Sequence, residues 1–164
     1  MGIIRKIRTN FNSIGDVWLF INILLLVTVL PLLIKFLSLP TLMRILTPRE
    51  LKADKRQNET VKNKIVKFTD YIFGSNLYIY QLTCLKRSLV LYHFLRKAGF
   101  SVRICFGVRF PSREEKNKLE GHAWLVYNGE VFLEKSVEMT KTYKVTYCFP
   151  ELEKQAEQTV LEQS

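Results

Sequence analysis

The chain has 164 residues, of which 48% are hydrophobic and 12% aromatic, and its formal net charge is +10. This composition is sufficient for one domain with a hydrophobic core plus an appendage, and it excludes an intrinsically disordered chain. The basic residues are spread over both halves of the chain without a tract interleaved with aromatic residues, so we expect no nucleic-acid partner.

The chain contains three cysteines, Cys84, Cys105 and Cys148, and only two histidines. Neither their number nor their spacing suggests a disulfide scaffold or a zinc site, and the glycine motifs that bind phosphate are absent from the sequence. We therefore expect no metal and no cofactor. The simplest expectation for the cysteines is that they are reduced, in a cytoplasmic protein.

The first part of the chain is hydrophobic. Residues 17–34 carry no charge, and a shorter apolar run follows Lys35 and ends at residue 39. A run of this length is at the lower limit for a helix that crosses a bilayer. Three interpretations remain open: a membrane helix, an anchor in the plane of the membrane surface, and a hydrophobic helix docked against the rest of the protein. A membrane attachment would use residues 17–39.

Two helices are predicted before the first cysteine. Residues 47–50, Thr-Pro-Arg-Glu, combine a capping threonine, a proline at the first helical position and a glutamate that completes a capping box. Further along, apolar residues recur at helical spacing, at Val61, Ile65, Phe68 and Ile72. They define one face of an amphipathic helix that ends near Gly74.

Residues 83–99 predict a helix with a cysteine in its first turn. Thr83 is a suitable N-cap for this helix, and Gly99 can take the left-handed conformation after its end. The helix dipole and the unpaired N–H groups of the first turn favour a thiolate at Cys84. The alternative is that Cys84 is only a small buried hydrophobic residue.

After Gly99 the apolar period changes from that of a helix to that of a strand. Strands are predicted over residues 102–109, 122–127, 130–134 and 143–149, with a turn at Asn128 and Gly129 between the second and the third. The fold class is therefore α+β, with helices up to Gly99 packed on an antiparallel sheet. Cys105 lies within a strand and is a weaker nucleophile candidate than Cys84, and the polar tail is expected to form a short or frayed helix.

The two histidines limit the choice of a catalytic base. His93 lies nine residues after Cys84 in the same helix, which places it on the opposite face. His122 can act on Cys84 if its strand packs beside the first helical turn. The nearest carboxylates that can orient the imidazole are Glu130 and Glu134. Gln81 is a weak candidate for stabilising an oxyanion, with a surface glutamine as the simpler interpretation.

The register of the hairpin decides between the two glutamates. A two-residue turn pairs Tyr127 with Glu130 and places Glu134 opposite Ala123, on the wrong face for His122. A three-residue loop with a bulge pairs Val126 with Glu130 and brings Glu134 opposite His122. We therefore predict the bulged turn, or an equivalent bulge in the return strand.

Several motifs resemble one known family. They are Cys-Leu-x-Arg-Ser-Leu-x-Leu-Tyr at 84–92, Gly99, Phe-Gly-Val-Arg at 106–109, His-Ala-Trp at 122–124 and an acidic residue twelve positions after the histidine. In this order they resemble the cysteine-protease component of lasso-peptide biosynthesis, a branch of the transglutaminase-like superfamily. The family usually has aspartate at the position of Glu134.

The resemblance implies a transglutaminase-like, papain-like core in which Cys84 is the nucleophile, His122 the base and Glu134 the orienting acid. The enzyme would cleave the leader from a ribosomally made precursor peptide, together with a separate leader-recognition protein and a lasso macrocyclase. The implied organisation is a hydrophobic helical segment over residues 1–47, a transglutaminase-like catalytic domain over 48–150 and a polar tail over 151–164. Any membrane attachment would be to the inner face.

Two other functions remain compatible with the sequence. The same cysteine, histidine and acid serve an acyltransferase or transglutaminase if an amine replaces water as the acceptor. A non-catalytic, membrane-associated binding module with a relict triad is the alternative from a different class. It would be favoured by a Cys84 side chain that is sealed from solvent, or that lies beyond about 5 Å from His122 with no room to approach it.

Overall fold

The structure is a computed structural model, which describes residues 13–48, 58–74, 83–110, 119–134 and 136–151. Within these residues it has five helices and four strands. The helices are α1 (Ile14–Phe36), α2 (Leu39–Leu46), α3 (Glu59–Phe73), α4 (Cys84–Lys97) and α5 (Val137–Lys141). The strands are β1 (Arg103–Arg109), β2 (Glu120–Tyr127), β3 (Glu130–Phe132) and β4 (Lys144–Phe149). Gln81, the helix predicted to begin after Thr47 and the helix predicted in the tail lie outside the described residues.

The four strands form one antiparallel sheet in the order β3-β2-β1-β4. The predicted α+β class is confirmed, because helices pack against one face of this sheet. The described core is continuous from α1 through α3 and α4 to the sheet, and it includes Ile23, Ile65, Leu89 and Ile104.

Helix α1 packs against the rest of the protein along one stripe. Its N-cap is Ser13, whose hydroxyl accepts a hydrogen bond from the N–H of Gly15 at 3.0 Å. Ile23, Val27 and Leu30 are fully buried. Their spacing of four and three residues is that of a single helical face, which contacts α3 and α4. The docked interpretation of the hydrophobic segment therefore holds for this face of the helix.

Helix α2 ends where the sequence predicted a new helix to begin. Thr47 is the residue that caps the C-terminus of α2, and its hydroxyl donates to the carbonyl of Met43 at 2.6 Å. The same hydroxyl shares a hydrogen bond of 2.9 Å with the Tyr92 phenol. The predicted role of Thr47 as the N-cap of a following helix concerns residues 49–57, which lie outside the described part of the chain, and it stays a prediction.

Helices α3 and α4 match their predictions closely. Helix α3 buries Ile65, Phe68 and Ile72 and ends at Phe73. Helix α4 begins directly after Thr83, whose hydroxyl accepts a hydrogen bond from the N–H of Lys86 at 3.3 Å. Gly99 has φ +91°, the left-handed conformation expected after the end of a helix.

The expectation of three reduced cysteines is wrong. Cys105 and Cys148 face each other across β1 and β4 and form a disulfide, with 4.1 Å between their Cα atoms. The sequence did not suggest this pair because the two residues are 43 positions apart and become neighbours only when β4 joins the sheet beside β1. Cys84 is the remaining free cysteine of the chain.

Candidate active site

Cys84 is the first residue of α4, and its side chain is half-buried. The first turn offers backbone N–H groups that have no intrahelical partner. Thr83 takes one of them, since its hydroxyl accepts from the N–H of Lys86 at 3.3 Å, and the N–H of Arg87 makes the first regular helical bond to the Thr83 carbonyl at 3.1 Å. The N–H groups of Cys84 and Leu85 are therefore the candidates for binding an oxyanion beside the sulfur.

Helix α4 is fixed to strand β2 next to the two reactive residues. The buried Ser88 hydroxyl donates to the carbonyl of Ala123 at 2.8 Å. Cys84 Sγ lies 4.0 Å from the carbonyl oxygen of Gly121, the residue before His122. The structure thus brings Cys84 and His122 to the same end of the helix–strand contact. In this state the thiol points to a backbone carbonyl, and catalytic contacts are commonly loose in the absence of substrate.

The His122 ring contacts two aromatic rings. It stacks on Trp124 with 5.7 Å between centroids, and the Tyr143 ring lies 5.1 Å away. The Arg109 guanidinium covers Tyr143 at 5.0 Å and pairs with Glu120. These contacts restrict the rotation of the imidazole. A restricted ring meets its proton donor in a fixed orientation, as a catalytic base must.

Glu134 faces the same imidazole. Its Oε2 lies 3.7 Å from Nε2 of His122, and the two side chains are 17% and 13% exposed. This separation is too long for a direct hydrogen bond. Because Nε2 faces the carboxylate, Nδ1 is the ring nitrogen left for a proton from Cys84. Glu130 pairs with Tyr127 near the turn and is not brought to His122.

The hairpin reaches this arrangement by a different route from the one predicted. Tyr127 pairs with Glu130, and Asn128 and Gly129 have φ of +51° and +83°. This is a two-residue turn, so the bulged turn is wrong. The reason is local, because an Asn-Gly pair accepts positive φ at both positions and gives a turn whose twist matches that of the strands.

The irregularity lies after the turn, in the return strand. Strand β3 ends at Phe132, and Leu133 has φ +58°. Regular pairing would have placed Glu134 opposite Ala123, whereas the left-handed residue ends the strand and turns Glu134 toward His122. The return strand was the other place in which the sequence allowed an irregularity. Leucine itself gives no signal of it, because non-glycine residues rarely adopt positive φ.

The second histidine has a structural position. His93 is half-buried in α4, and its Nδ1 lies 2.7 Å from the carbonyl of Leu46. A carbonyl can only accept, so Nδ1 carries the proton in this contact. Burial lowers the pKa of His93 below its ordinary value of 6.5, which the hydrogen bond to Leu46 partly offsets. His93 therefore joins α4 to α2 as a neutral donor.

One further feature, a groove, lies apart from Cys84. A groove of about 480 Å³, lined by Trp18, Asn58, Lys97 and other residues, opens at the C-terminal end of α4. The rise along thirteen helical residues places it about 20 Å from Cys84. Within the described residues no group of three histidine, cysteine or acidic side chains can hold a metal ion.

The family of the chain follows from a comparison with known sequences. A family model for the transglutaminase-like superfamily matches residues 24–148, which is more than half of the chain. The chain therefore belongs to the transglutaminase-like superfamily, which includes cysteine peptidases and acyltransferases. No curated protein and no solved structure matches the chain. The match begins within α1.

Sequence reasoning missed several residues around the site. The sequence predicts Tyr143 only as a strand residue, and it does not predict the contacts of Arg87 with Asp70 and Leu133. Arg87 donates to both Asp70 and the Leu133 carbonyl. The only sequence signal for it was its place in the motif that begins at Cys84. Asp70 and Leu133 gave none, because their contact depends on α3 and the hairpin meeting at α4.

Proposed function

We propose that this protein is a cysteine peptidase that removes the leader from a precursor peptide in lasso-peptide maturation. The observation that carries the proposal is the position of Glu134, whose carboxylate lies 3.7 Å from His122. His122 belongs to the strand that packs beside Cys84. The motifs at residues 84–92 and 122–124 supply the resemblance to the lasso-peptide proteases. Membership of the transglutaminase-like superfamily supports the cysteine chemistry but not the particular substrate.

The proposed reaction begins with proton transfer from Cys84 to Nδ1 of His122, after the thiol turns away from the Gly121 carbonyl. The thiolate attacks the peptide carbonyl at the end of the leader, and the N–H groups of Cys84 and Leu85 bind the oxyanion. His122 then gives its proton to the leaving amine of the core peptide. Glu134 keeps the imidazole oriented and stabilises its charged form.

In the second half-reaction His122 takes a proton from water, which attacks the thioester carbonyl. The C–S bond then breaks, the leader leaves as a carboxylic acid, and the proton on His122 returns to the Cys84 thiolate. No cofactor or metal takes part in this scheme. The precursor would be delivered by a separate leader-recognition protein, and the released core peptide would pass to a lasso macrocyclase. These partners are implied by the resemblance alone.

An acyltransferase is the second candidate, and the superfamily itself supports it. Cysteine, histidine and glutamate would form the same thioester, and an amine instead of water would attack it. The non-catalytic binding module is less favoured, because Cys84 is half-buried and not sealed from solvent.

The test is incubation of the purified chain with a panel of lasso precursor peptides, each with its leader-recognition protein, followed by mass spectrometry. We expect a leader that ends in a free carboxylate, and no product from Cys84→Ala. Methylamine should be added in a parallel reaction. A methylamide in place of the carboxylate would favour the acyltransferase, and intact precursors without a covalent enzyme adduct would favour the binding module.

We also propose that α1 attaches the protein to a membrane surface by lying in its plane. Among the described helices, α1 is the one that is long and apolar enough to cross a bilayer by length and composition. Its buried stripe packs on α3 and α4, so a spanning helix would have to expose Ile23, Val27 and Leu30. The opposite face is apolar and exposed, with Trp18 at 68% and Phe36 at 75%.

The charge of the chain fits the same arrangement. A net charge of +10 attracts the protein to anionic lipids, and Lys35 and Arg44 are exposed near the end of α1. The sequence analysis expected a cytoplasmic location because it expected reduced cysteines. Cys105 and Cys148 form a disulfide, so the cysteines no longer support that location. Attachment to the inner face now follows only from the proposed function, whose precursor peptide is made in the cytoplasm.

A further inference from the structure

Arg87 lies one helical turn after Cys84 and bridges α3 to the hairpin. Its Nε and Nη2 donate to the two carboxylate oxygens of Asp70 at 2.8 and 3.3 Å. Its Nη1 donates to the carbonyl of Leu133 at 2.9 Å. The side chain is only 13% exposed. All three guanidinium nitrogens are therefore engaged, and the planar fork fixes the direction of the bond to Leu133.

The residue at the end of that bond has an unfavourable backbone conformation. Leu133 is a non-glycine residue with φ +58°. Such a conformation persists only when surrounding contacts hold it. The Leu133 side chain packs against the core and provides one of these contacts, and the bond from Arg87 to its carbonyl provides another.

The next residue in the chain is Glu134. Its carboxylate reaches His122 because Leu133 leaves the strand geometry, since regular pairing would place Glu134 opposite Ala123. We infer that Arg87 is a positioning residue, which sets Glu134 against His122 by holding the left-handed turn at Leu133. The inference rests on the proposed function, because it assigns Arg87 a part in orienting the same base.

Arg87 acts in this scheme by geometry and not by its charge. The Asp70 carboxylate pairs with the guanidinium and offsets its positive charge. Lysine at position 87 would keep the charge but would lose the fork that reaches Asp70 and Leu133 together. Arg87→Lys therefore tests the geometry of the side chain while the positive charge is kept.

Helix α4 offers a matched control. Arg96 is also partly buried and also donates to a backbone carbonyl, that of Val102, at 3.2 Å. It lies at the opposite end of the helix from Cys84. Arg96→Lys removes the same kind of contact without touching the turn at Leu133.

The experiment measures the rate at which iodoacetamide alkylates Cys84 as a function of pH, without reductant, so that Cys105 and Cys148 stay bonded. The proteins compared are the wild type, Arg87→Lys, Arg96→Lys, His122→Ala, Glu134→Gln and the double variant Arg87→Lys/Glu134→Gln. We expect Arg87→Lys to slow labelling at pH 6.5 about tenfold, by analogy with the loss of partners that orient metal ligands. Arg96→Lys should label like the wild type.

The double variant tests whether Arg87 acts through Glu134. If it does, the effects are not additive, and the double variant labels no more slowly than Glu134→Gln alone. Additive slowing would overturn the inference, and so would equal rates for Arg87→Lys and Arg96→Lys. If circular dichroism shows that Arg87→Lys is unfolded, Asp70→Asn replaces it in both comparisons. This change weakens the bonds between the Arg87 guanidinium and the more exposed Asp70 side chain.

The failure of the Cys84–His122 chemistry, on which the proposed function depends, has a different signature. In that case the wild type itself labels as an ordinary thiol, and neither His122→Ala nor Glu134→Gln changes the rate. If only the inference fails, the wild type still labels rapidly and its rate depends on His122 and Glu134, but Arg87→Lys does not change the rate.

Discussion

Gly107 is the residue on which the aromatic support of His122 depends. It is the cross-strand partner of His122 on β1, and the Trp124 ring lies over it. A Cβ at this position would come within 2.8 Å of the Trp124 ring and 3.0 Å of the Lys144 carbonyl. A glycine is therefore required where a backbone passes under the ring that stacks on the imidazole.

We predict that Gly107→Ala destabilises the protein by about 1–3 kcal/mol, the usual cost of inserting a methyl group into a packed site. The measurement is the free energy of unfolding from urea denaturation. Gly121→Ala is the control, because nothing lies within 4 Å of its added Cβ. Equal stabilities of the two variants would show that Trp124 moves aside without cost.

The Cys105–Cys148 disulfide joins the central strand β1 to the edge strand β4. It closes a loop of 43 residues that contains β2, β3 and α5. We predict that replacing both cysteines by serine lowers the free energy of unfolding by about 2–4 kcal/mol, mainly because the unfolded chain is less constrained. Denaturation of both proteins with and without reductant provides the measurement.

Two outcomes of that measurement are decisive. The wild type in reductant should approach the stability of the double serine variant, and Cys84→Ser should retain the wild-type stability in the absence of reductant. A wild type that is insensitive to reductant, with the same stability as the serine variant, would mean that the bond does not form in the purified protein.

The contact between α2 and α4 predicts how stability depends on pH. Burial lowers the pKa of His93 below its ordinary value of 6.5. As pH falls below about 6.5, the unfolded chain therefore binds a proton at this residue before the folded chain does. The contribution of the neutral His93 is fully present above that pH and is lost as the pH falls toward the lowered pKa.

His93→Asn is the variant that checks this prediction. Asparagine keeps an N–H donor for the Leu46 carbonyl but does not titrate. Between pH 7.5 and 5.5 the wild type should lose more of its free energy of unfolding than the variant. Parallel losses in the two proteins would assign the pH dependence to other groups.

Elements with a regular period were predictable from the sequence, and contacts between distant elements were not. The four-three-four spacing from Val61 to Ile72 gave α3, and the cap at Thr83 gave the start of α4. The left-handed Leu133 and the Cys105–Cys148 bond depend on which strands become neighbours. The hairpin is an example. Asn128 and Gly129 correctly predicted the turn, but the irregular backbone lies four residues after Gly129, at Leu133, where the sequence gives no signal.

The candidate site follows the same division. The sequence could single out Cys84, His122 and Glu134 because cysteine and histidine are few and the motifs surround them. It could not supply the Ser88 bond that sets α4 on β2, or the Arg87 bridge from α3 to the hairpin. These bonds join elements far apart in the chain, and no local pattern records them.

For the whole molecule, the proposed membrane attachment predicts binding to lipid vesicles. We expect co-sedimentation with vesicles of phosphatidylglycerol and phosphatidylcholine that weakens with salt and is less with phosphatidylcholine alone. Replacing Trp18, Leu25 and Leu32 by serine should abolish binding, because these residues lie on the exposed face of α1.

Phe110→Ser is the control for that experiment, since Phe110 is exposed but lies at the end of β1. Alkaline carbonate should extract the bound protein if α1 lies in the plane of the surface. Resistance to carbonate would indicate a spanning helix, and sedimentation equal to that without vesicles would contradict the membrane attachment.

The proposed mechanism depends on whether Cys84 is an activated thiol. The most direct measurement is its alkylation rate against pH in the oxidised protein, in which Cys84 is the free cysteine, compared with that of His122→Ala. We expect rapid labelling below about pH 7 that is lost in His122→Ala. Slow labelling in both proteins, rising only near pH 8 to 9 as for an ordinary thiol, would contradict it.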